Sequence, residues 1–365
     1  NERDEFDIFI FSIFLRVIFL VKNNKGQCLS RTGADCLSSI VSAGKQDLLA
    51  WSTEPQLTMK TLFDVASRLL DPDLESSGSF CVGTYIVQLI LHFPSEIALH
   101  IRELLAALMR RMQSCEIASL KSSLIVVFAR LIHSSVPNVE HLINMMLNLP
   151  ANGHTNCFAY VMTEWTRQQG EIQGAYQIKV TTSALALLLS TKSAALANIN
   201  VQGHPLKTNT GITTRSKSKV VPDQWSIVPL PVKLVSLLSD TLIEIQEQVL
   251  VDNNEDSECE EVYKQSSNDI HDNILFSSAL LDSKLTDENL DAMAKVFDES
   301  VDNDDYGAGL LKADPLNEIN LVNYLGGFFA NFSKTDNLTF SQLCQSLSQS
   351  QKTAIAKILD NQIPS

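Results

Sequence analysis

The chain is short of helix-breaking residues. Its 365 residues include only 14 Gly and 11 Pro, too few for a turn-rich sandwich, a collagen-like repeat or a low-complexity chain. Charge is also scarce, with Asp, Glu, Lys and Arg at 19%. Because 45% of the residues are apolar, the chain is not wholly disordered and has the material for a core. The seven cysteines (Cys28, Cys36, Cys81, Cys115, Cys157, Cys259 and Cys344) are odd in number and contain no CxxC pair. They point to a reducing compartment rather than a disulfide framework.

The motifs of common catalytic chemistry are missing too. There is no HExxH, no GxSxG nucleophile elbow, no phosphate-binding P-loop and no GxGxxG. His92, His100 and His133 fall in helical stretches and read as buried or edge residues, not ligands. One calcium-loop test fails. Asp252, Asn254 and Asp256 fit the first, third and fifth positions, but Ser257 replaces the turn glycine and Tyr263 the bidentate acid. No catalytic residue, metal site or cofactor is assigned, and an enzyme is not expected.

No run of about 20 apolar residues, the length a membrane helix needs, is present. The longest candidate is the stretch 6–21, FDIFIFSIFLRVIFLV, which is 16 residues long and contains Asp7 and Arg16. It also lacks a basic leader and a small-residue cleavage site. Sequence foreign to the fold is the favoured reading of residues 1–24, with a buried element or a membrane anchor as alternatives. The chain opens on Asn1, as expected of a fragment or a faulty gene model.

What is present is a strong helical period and one concentrated charge. Ile97, Ile101, Leu104, Leu105, Leu108 and Met112 form one stripe, and Ile117, Leu120, Leu124, Phe128 and Leu131 form the next. Further helices are expected over 56–70, 79–93, 137–148, 157–169, 175–190 and 229–250. Pro72, Pro94, Pro137 and Pro150 punctuate the series. Such helices, joined by short turns, pair antiparallel. Pairs recurring about every 40 residues predict an all-α HEAT-repeat α-solenoid, with a compact helical bundle as the competing architecture. Residues 201–228 are expected to be a loop. It carries a small basic patch, Arg215, Lys217 and Lys219, read mainly as a solvated loop and alternatively as a phosphate-contacting or localisation signal.

The net charge of −14 is local. Residues 251–306 hold 17 acids and three bases, while the other residues carry 25 of each sign. Four segments follow: 1–24 unmatched, 25–250 solenoid, 251–310 a largely disordered acidic insertion with one short helix near 286–297, and 311–365 closing helices. A neutral scaffold with one acidic segment fits a basic partner and argues against direct nucleic-acid binding, which needs the opposite sign. The candidate contact residues are Asp252, Glu255, Asp256, Glu258, Glu260 and Glu261, with a second patch at Asp302, Asp304 and Asp305. The bland alternative is a loop that only keeps the solenoid soluble.

Five stretches in order, LIVVFARLIHS (124–134), MTEWTRQQ (162–169), GAYQIKVTTSAL (174–185), TRSKSK (214–219) and DPLNEINLVNYL (314–325), with the acidic insertion before the last, carry a resemblance. The chain resembles the C-terminal part of the importin-9-like karyopherins of the importin-beta superfamily, in the style of a plant member, over about residues 27–365. The resemblance implies a superhelix of HEAT repeats that shuttles between cytoplasm and nucleus through pores. It also implies basic cargoes such as core histones and ribosomal proteins, released on meeting Ran-GTP, with nuclear pore proteins as further partners and no membrane role. The N-terminal repeats that bear the main Ran surface in this superfamily have no counterpart here. The insertion is diluted by Ser and Asn where animal members have unbroken Glu runs. A histone or ribosomal-protein chaperone scaffold that does not shuttle is the alternative.

Overall fold

A computed structural model of the chain describes residues 16–18, 27–50, 55–74, 81–205, 224–255 and 306–361. The helices, in order, are α1 (Gln27–Gly44), α2 (Asp47–Ala50), α3 (Pro55–Leu69), α4 (Val82–His92), α5 (Pro94–Leu99), α6 (Ile101–Ser114), α7 (Ala118–Ser134), α8 (Val139–Leu147), α9 (Cys157–Gln168), α10 (Ala175–Ser190) and α11 (Ala194–Ala197). A hairpin of β1 (Asn200–Pro205) and β2 (Trp225–Pro229) leads into α12 (Leu230–Glu255). After the acidic segment come α13 (Tyr306–Leu311), α14 (Leu321–Thr335), α15 (Asn337–Gln345) and α16 (Gln349–Asn361).

The chain divides into two compact units. The first combines everything up to Leu234 with the later segment 303–319, and the second combines 235–302 with 320–365. In the first unit, α1, α4, α7 and α10 lie side by side as one row, while α3, α6, α8 and α9 pack behind it. This two-layered stacking of helix pairs is the expected α-solenoid. Helix α7 sits between α4 and α10, and Leu124, Ile125, Val127, Phe128, Leu131 and Ile132 are all buried along it. Burial on more than one side explains why its sequence is apolar around most of its circumference. The α4–α7 crossing is close, since a Cβ on Gly83 would meet the Ser123 carbonyl oxygen at 2.9 Å.

Three expectations change. The row helices begin at residues 27, 82, 118 and 175, an uneven spacing in place of a 40-residue period. The short helices α2 and α5, and the extra helix α8, lengthen some connections. The stripe from Ile97 to Met112 is two helices, because the backbone at His100 leaves the helical region and its N–H bonds back to Ile97 O. Residues 201–228 are not all loop: β1 and β2 pair antiparallel, with Val201 opposite Val228, Gln202 opposite Ile227 and Pro205 opposite Trp225. Ser226 locks the ribbon, its Oγ accepting from His204 N at 2.8 Å and donating to His204 O at 3.1 Å.

In the second unit, Asn320 and Asp336 cap α14 and α15 by accepting from the N–H groups of Asn323 and Thr339. Phe329, Phe332 and Phe340 form an aromatic cluster, with ring centroids 5.5 Å apart for Phe332 and Phe340. The buried Gln351 of α16 donates to Ser236 Oγ at 2.8 Å and Asp240 Oδ1 at 2.6 Å on α12. Leu343, Leu347, Ile355 and Ile358 are buried, with Leu359 half-buried. Among the described residues, no helix is long and apolar enough to cross a membrane.

Candidate interaction site around the acidic insertion

Of the nine acids singled out from the sequence, Asp252 and Glu255 are placed by the backbone on the last turns of α12, which runs slightly beyond the expected end of the helix. Their side chains lie outside the described residues, as do Asp256, Glu258, Glu260, Glu261, Asp302, Asp304 and Asp305. Arg215, Lys217 and Lys219, the short helix near 286–297 and all of residues 1–15 lie outside them as well. The structure does show what flanks the insertion.

On its N-terminal side, α12 carries Asp240, Glu244 and Glu247 at i, i+4 and i+7, on one helical face. Burial first, then the charges of Asp240 and Glu247, push the Glu244 carboxyl up from its ordinary value. Acidic character therefore begins on the helix, ahead of Asp252. Periodicity contains this signal, although a charge count by segment passes over it.

On the C-terminal side, the chain returns to the first unit through residues 306–319. Asp314 is the pivot of this return, with its carboxylate fully buried. Its Oδ2 accepts from Arg130 Nε at 2.8 Å and from Tyr176 Oη at 2.8 Å, while Oδ1 caps the following 3-10 turn (Pro315–Glu318) through Leu316 N at 3.1 Å. Lys179 Nζ donates to Asn317 O at 2.7 Å, and Gln88 Nε2 donates to Leu310 O at 3.1 Å. Burial, then the charge and hydrogen bond of Asp314, keep the Tyr176 hydroxyl protonated far above its ordinary range. Arg130, Tyr176, Lys179 and Asp314 belong to three of the five stretches that carry the family resemblance, which the tertiary fold brings to one junction. Sequence reasoning missed it. The one local signal was Asp314-Pro315, a cap followed by proline at the start of a helical turn.

His133 lies next to this junction on α7. Its Nε2 is 3.1 Å from Val180 O and 3.0 Å from Ser183 Oγ, so the neutral ring donates to the carbonyl from Nε2. Burial lowers its pKa to about 4, the Val180 hydrogen bond and Asp314 opposing the shift and Arg130 adding to it. The unfolded chain therefore binds this proton more tightly than the folded one. The stability tied to His133 is complete above pH of about 6.5 and declines as the pH falls toward about 4, at up to about 1.4 kcal/mol per pH unit. His133→Gln keeps a donor for the carbonyl and is expected to flatten that part of the pH dependence. Denaturant melts of both proteins at pH 7 and pH 5 check this. Equal losses on acidification would contradict it.

The first unit also holds a groove of about 980 Å³ lined by α3, α5 and α6, including Met59, Phe63 and Leu104 with Lys60, Asp64 and Glu103. Phe63 meets His100 edge-on at 4.9 Å, and Leu99, 80% exposed, stands on its border. Among the described residues, no group of His, Cys, Asp and Glu is arranged to hold a metal ion. The arrangement is a neutral helical array, a helix that is acidic on one face, and a buried junction that fixes where the chain re-enters the array.

Comparison with known proteins agrees with this architecture. The chain is 22% identical to importin subunit beta-5 of Schizosaccharomyces pombe over 330 residues, covering 90% of this chain and 31% of that protein. It is 23% identical to importin-9 of Drosophila melanogaster over 258 residues, covering 68% of this chain and 25% of that protein. With importin subunit beta-5 of Saccharomyces cerevisiae the identity is 27% over 191 residues, or 52% of this chain and 18% of that one. The chain thus spans less than a third of the length of the curated relatives it matches. The family described as importin-11-like, TPR repeats, matches residues 34–331. That description names the helix pairs differently, but TPR and HEAT repeats are both antiparallel helix pairs that stack. With a match over most of its length, the chain belongs to the importin-11-like family and is a karyopherin similar to importin-9.

Proposed function

We propose that the chain is the C-terminal, cargo-gripping part of a nuclear transport receptor for basic proteins, core histones and ribosomal proteins among them. The observation that carries this reading is the placement of charge: residues 251–306 account for the whole −14 of the chain, and the rest is balanced. The acids Asp252, Glu255, Asp256, Glu258, Glu260 and Glu261, with Asp302, Asp304 and Asp305, engage lysine and arginine side chains of the cargo. The array supplies the scaffold on which they are held. In the complete receptor, Ran-GTP binding through other repeats releases the cargo, and the receptor shuttles between cytoplasm and nucleus through contacts with pore proteins. Membership of the importin-11-like family supports the transport role.

The test is titration of the chain with core histone dimers across a salt series, with duplex DNA as competitor. Binding that weakens steeply with salt, as expected of many exposed charge pairs acting together, and that displaces DNA supports the reading. Absence of binding at low salt would overturn it for this part of the receptor. Addition of Ran-GTP to the complete receptor separates transport from simple chaperoning, since a chaperone scaffold would keep its histones.

A further inference from the structure

We propose that residues 306–319 are a clip that docks on α4, α7 and α10 and opens as its own unit. Three observations lead there. The segment has no local stability to call on: α13 spans six residues and the 3-10 turn four, far below the about 12 residues at which an isolated helix becomes marginal. It is therefore held by tertiary contacts alone. Few of its described side chains are buried. Leu311 and Asp314 are its buried side chains among those described, and the 3-10 turn buries none. The grip comes from Arg130, Tyr176, Lys179 and Gln88, from three neighbouring helices, across sequence separations of 138 to 222 residues.

The third observation is position. The clip is joined on one side to the acidic insertion and on the other to Asn320, where the second unit resumes. Among its described side chains, Leu311 alone is both apolar and buried. Segments held by few apolar contacts open at lower free energy than the cores on which they rest.

The experiment is amide hydrogen exchange on the full chain, wild type and Asp314→Asn, without cargo. In the wild type, amides of 306–319 are expected to exchange at least about tenfold faster than those of α7 and α10. Asp314→Asn should speed the segment by a further tenfold or more, since the substitution removes the charge that holds Arg130 and Tyr176, and leave α7 and α10 unchanged. Trypsin cleavage after the exposed Lys312 should accelerate in parallel. Exchange of 306–319 in step with α7 and α10 in the wild type would overturn the clip, as would an Asp314→Asn segment with unaltered protection. If the variant fails to fold, the segment is part of the core and the proposal is likewise overturned. Because no cargo is present, this outcome is independent of whether histones bind.

Discussion

Replacing Asp252, Glu255, Asp256, Glu258, Glu260, Glu261, Asp302, Asp304 and Asp305 with Ser and Asn is expected to weaken histone binding by at least about twentyfold and to reduce its salt dependence. Each exposed charge pair contributes only about 0.2–1 kcal/mol, so nine removed together amount to roughly 2–9 kcal/mol, with tenfold in affinity for every 1.4 kcal/mol. The effect belongs to the ensemble of charges, and single replacements should be almost silent. Exposed acids elsewhere, Glu103, Glu116 and Glu140, provide the control, because removing them changes net charge without touching the insertion. Isothermal titration at two salt concentrations distinguishes the cases. An unaltered affinity and salt slope in the nine-fold variant would show that the acids serve solubility alone. A loss of the same size in the control variant would show that overall charge, not its placement, attracts the cargo.

Trp165→Ala is expected to cost about 3–5 kcal/mol of stability, the largest effect of any single substitution considered. Trp165 is completely buried on α9, and its indole Nε1 donates to Gln169 Oε1 at 2.7 Å. Gln169 Nε2 in turn reaches Thr181 Oγ1 at 3.1 Å and Thr182 Oγ1 at 3.4 Å on α10. Truncation therefore opens a large cavity and strands the Gln169 carbonyl without its donor, and a buried polar group without a partner carries its own penalty. Trp165→Phe fills most of the volume but still loses the N–H, so an intermediate loss is expected. Urea unfolding followed by circular dichroism measures both. A Trp165→Phe protein as stable as the wild type would show that the polar relay to α10 contributes nothing.

Much of the helical layout was legible because its signals are local. Helix α10 occupies 175–190 as predicted, and α9 ends one residue short of its expected boundary at 169. Gly170 and Gly174 mark the turn between the two helices. Where periodicity misled, it did so for local reasons as well. The stripe from Ile97 to Met112 continues in register across His100, so a single unwound residue leaves no trace in the pattern. The hairpin strands are five and six residues long, and Gly203, Pro205 and Pro229 interrupt their alternation, so turn chemistry outweighed a weak strand signal. Lys179, Tyr176 and Asp314 offered no warning of their burial, since charged and hydroxyl-bearing residues are usually found at surfaces.

The sequence by itself determined that this chain is helical, that its helices are amphipathic enough to stack, and that its net negative charge arises from residues 251–306. Each of these follows from composition or from spacing within about a dozen residues. Only the tertiary structure decided which helices share a row, that a strand pair precedes α12, and that residues 306–319 turn back to Arg130, Tyr176 and Lys179. The physical reason is separation along the chain. A carboxylate can be buried only if cations and donors meet it, and here they arrive from helices 138 and 184 residues away, a distance over which no periodic pattern carries information.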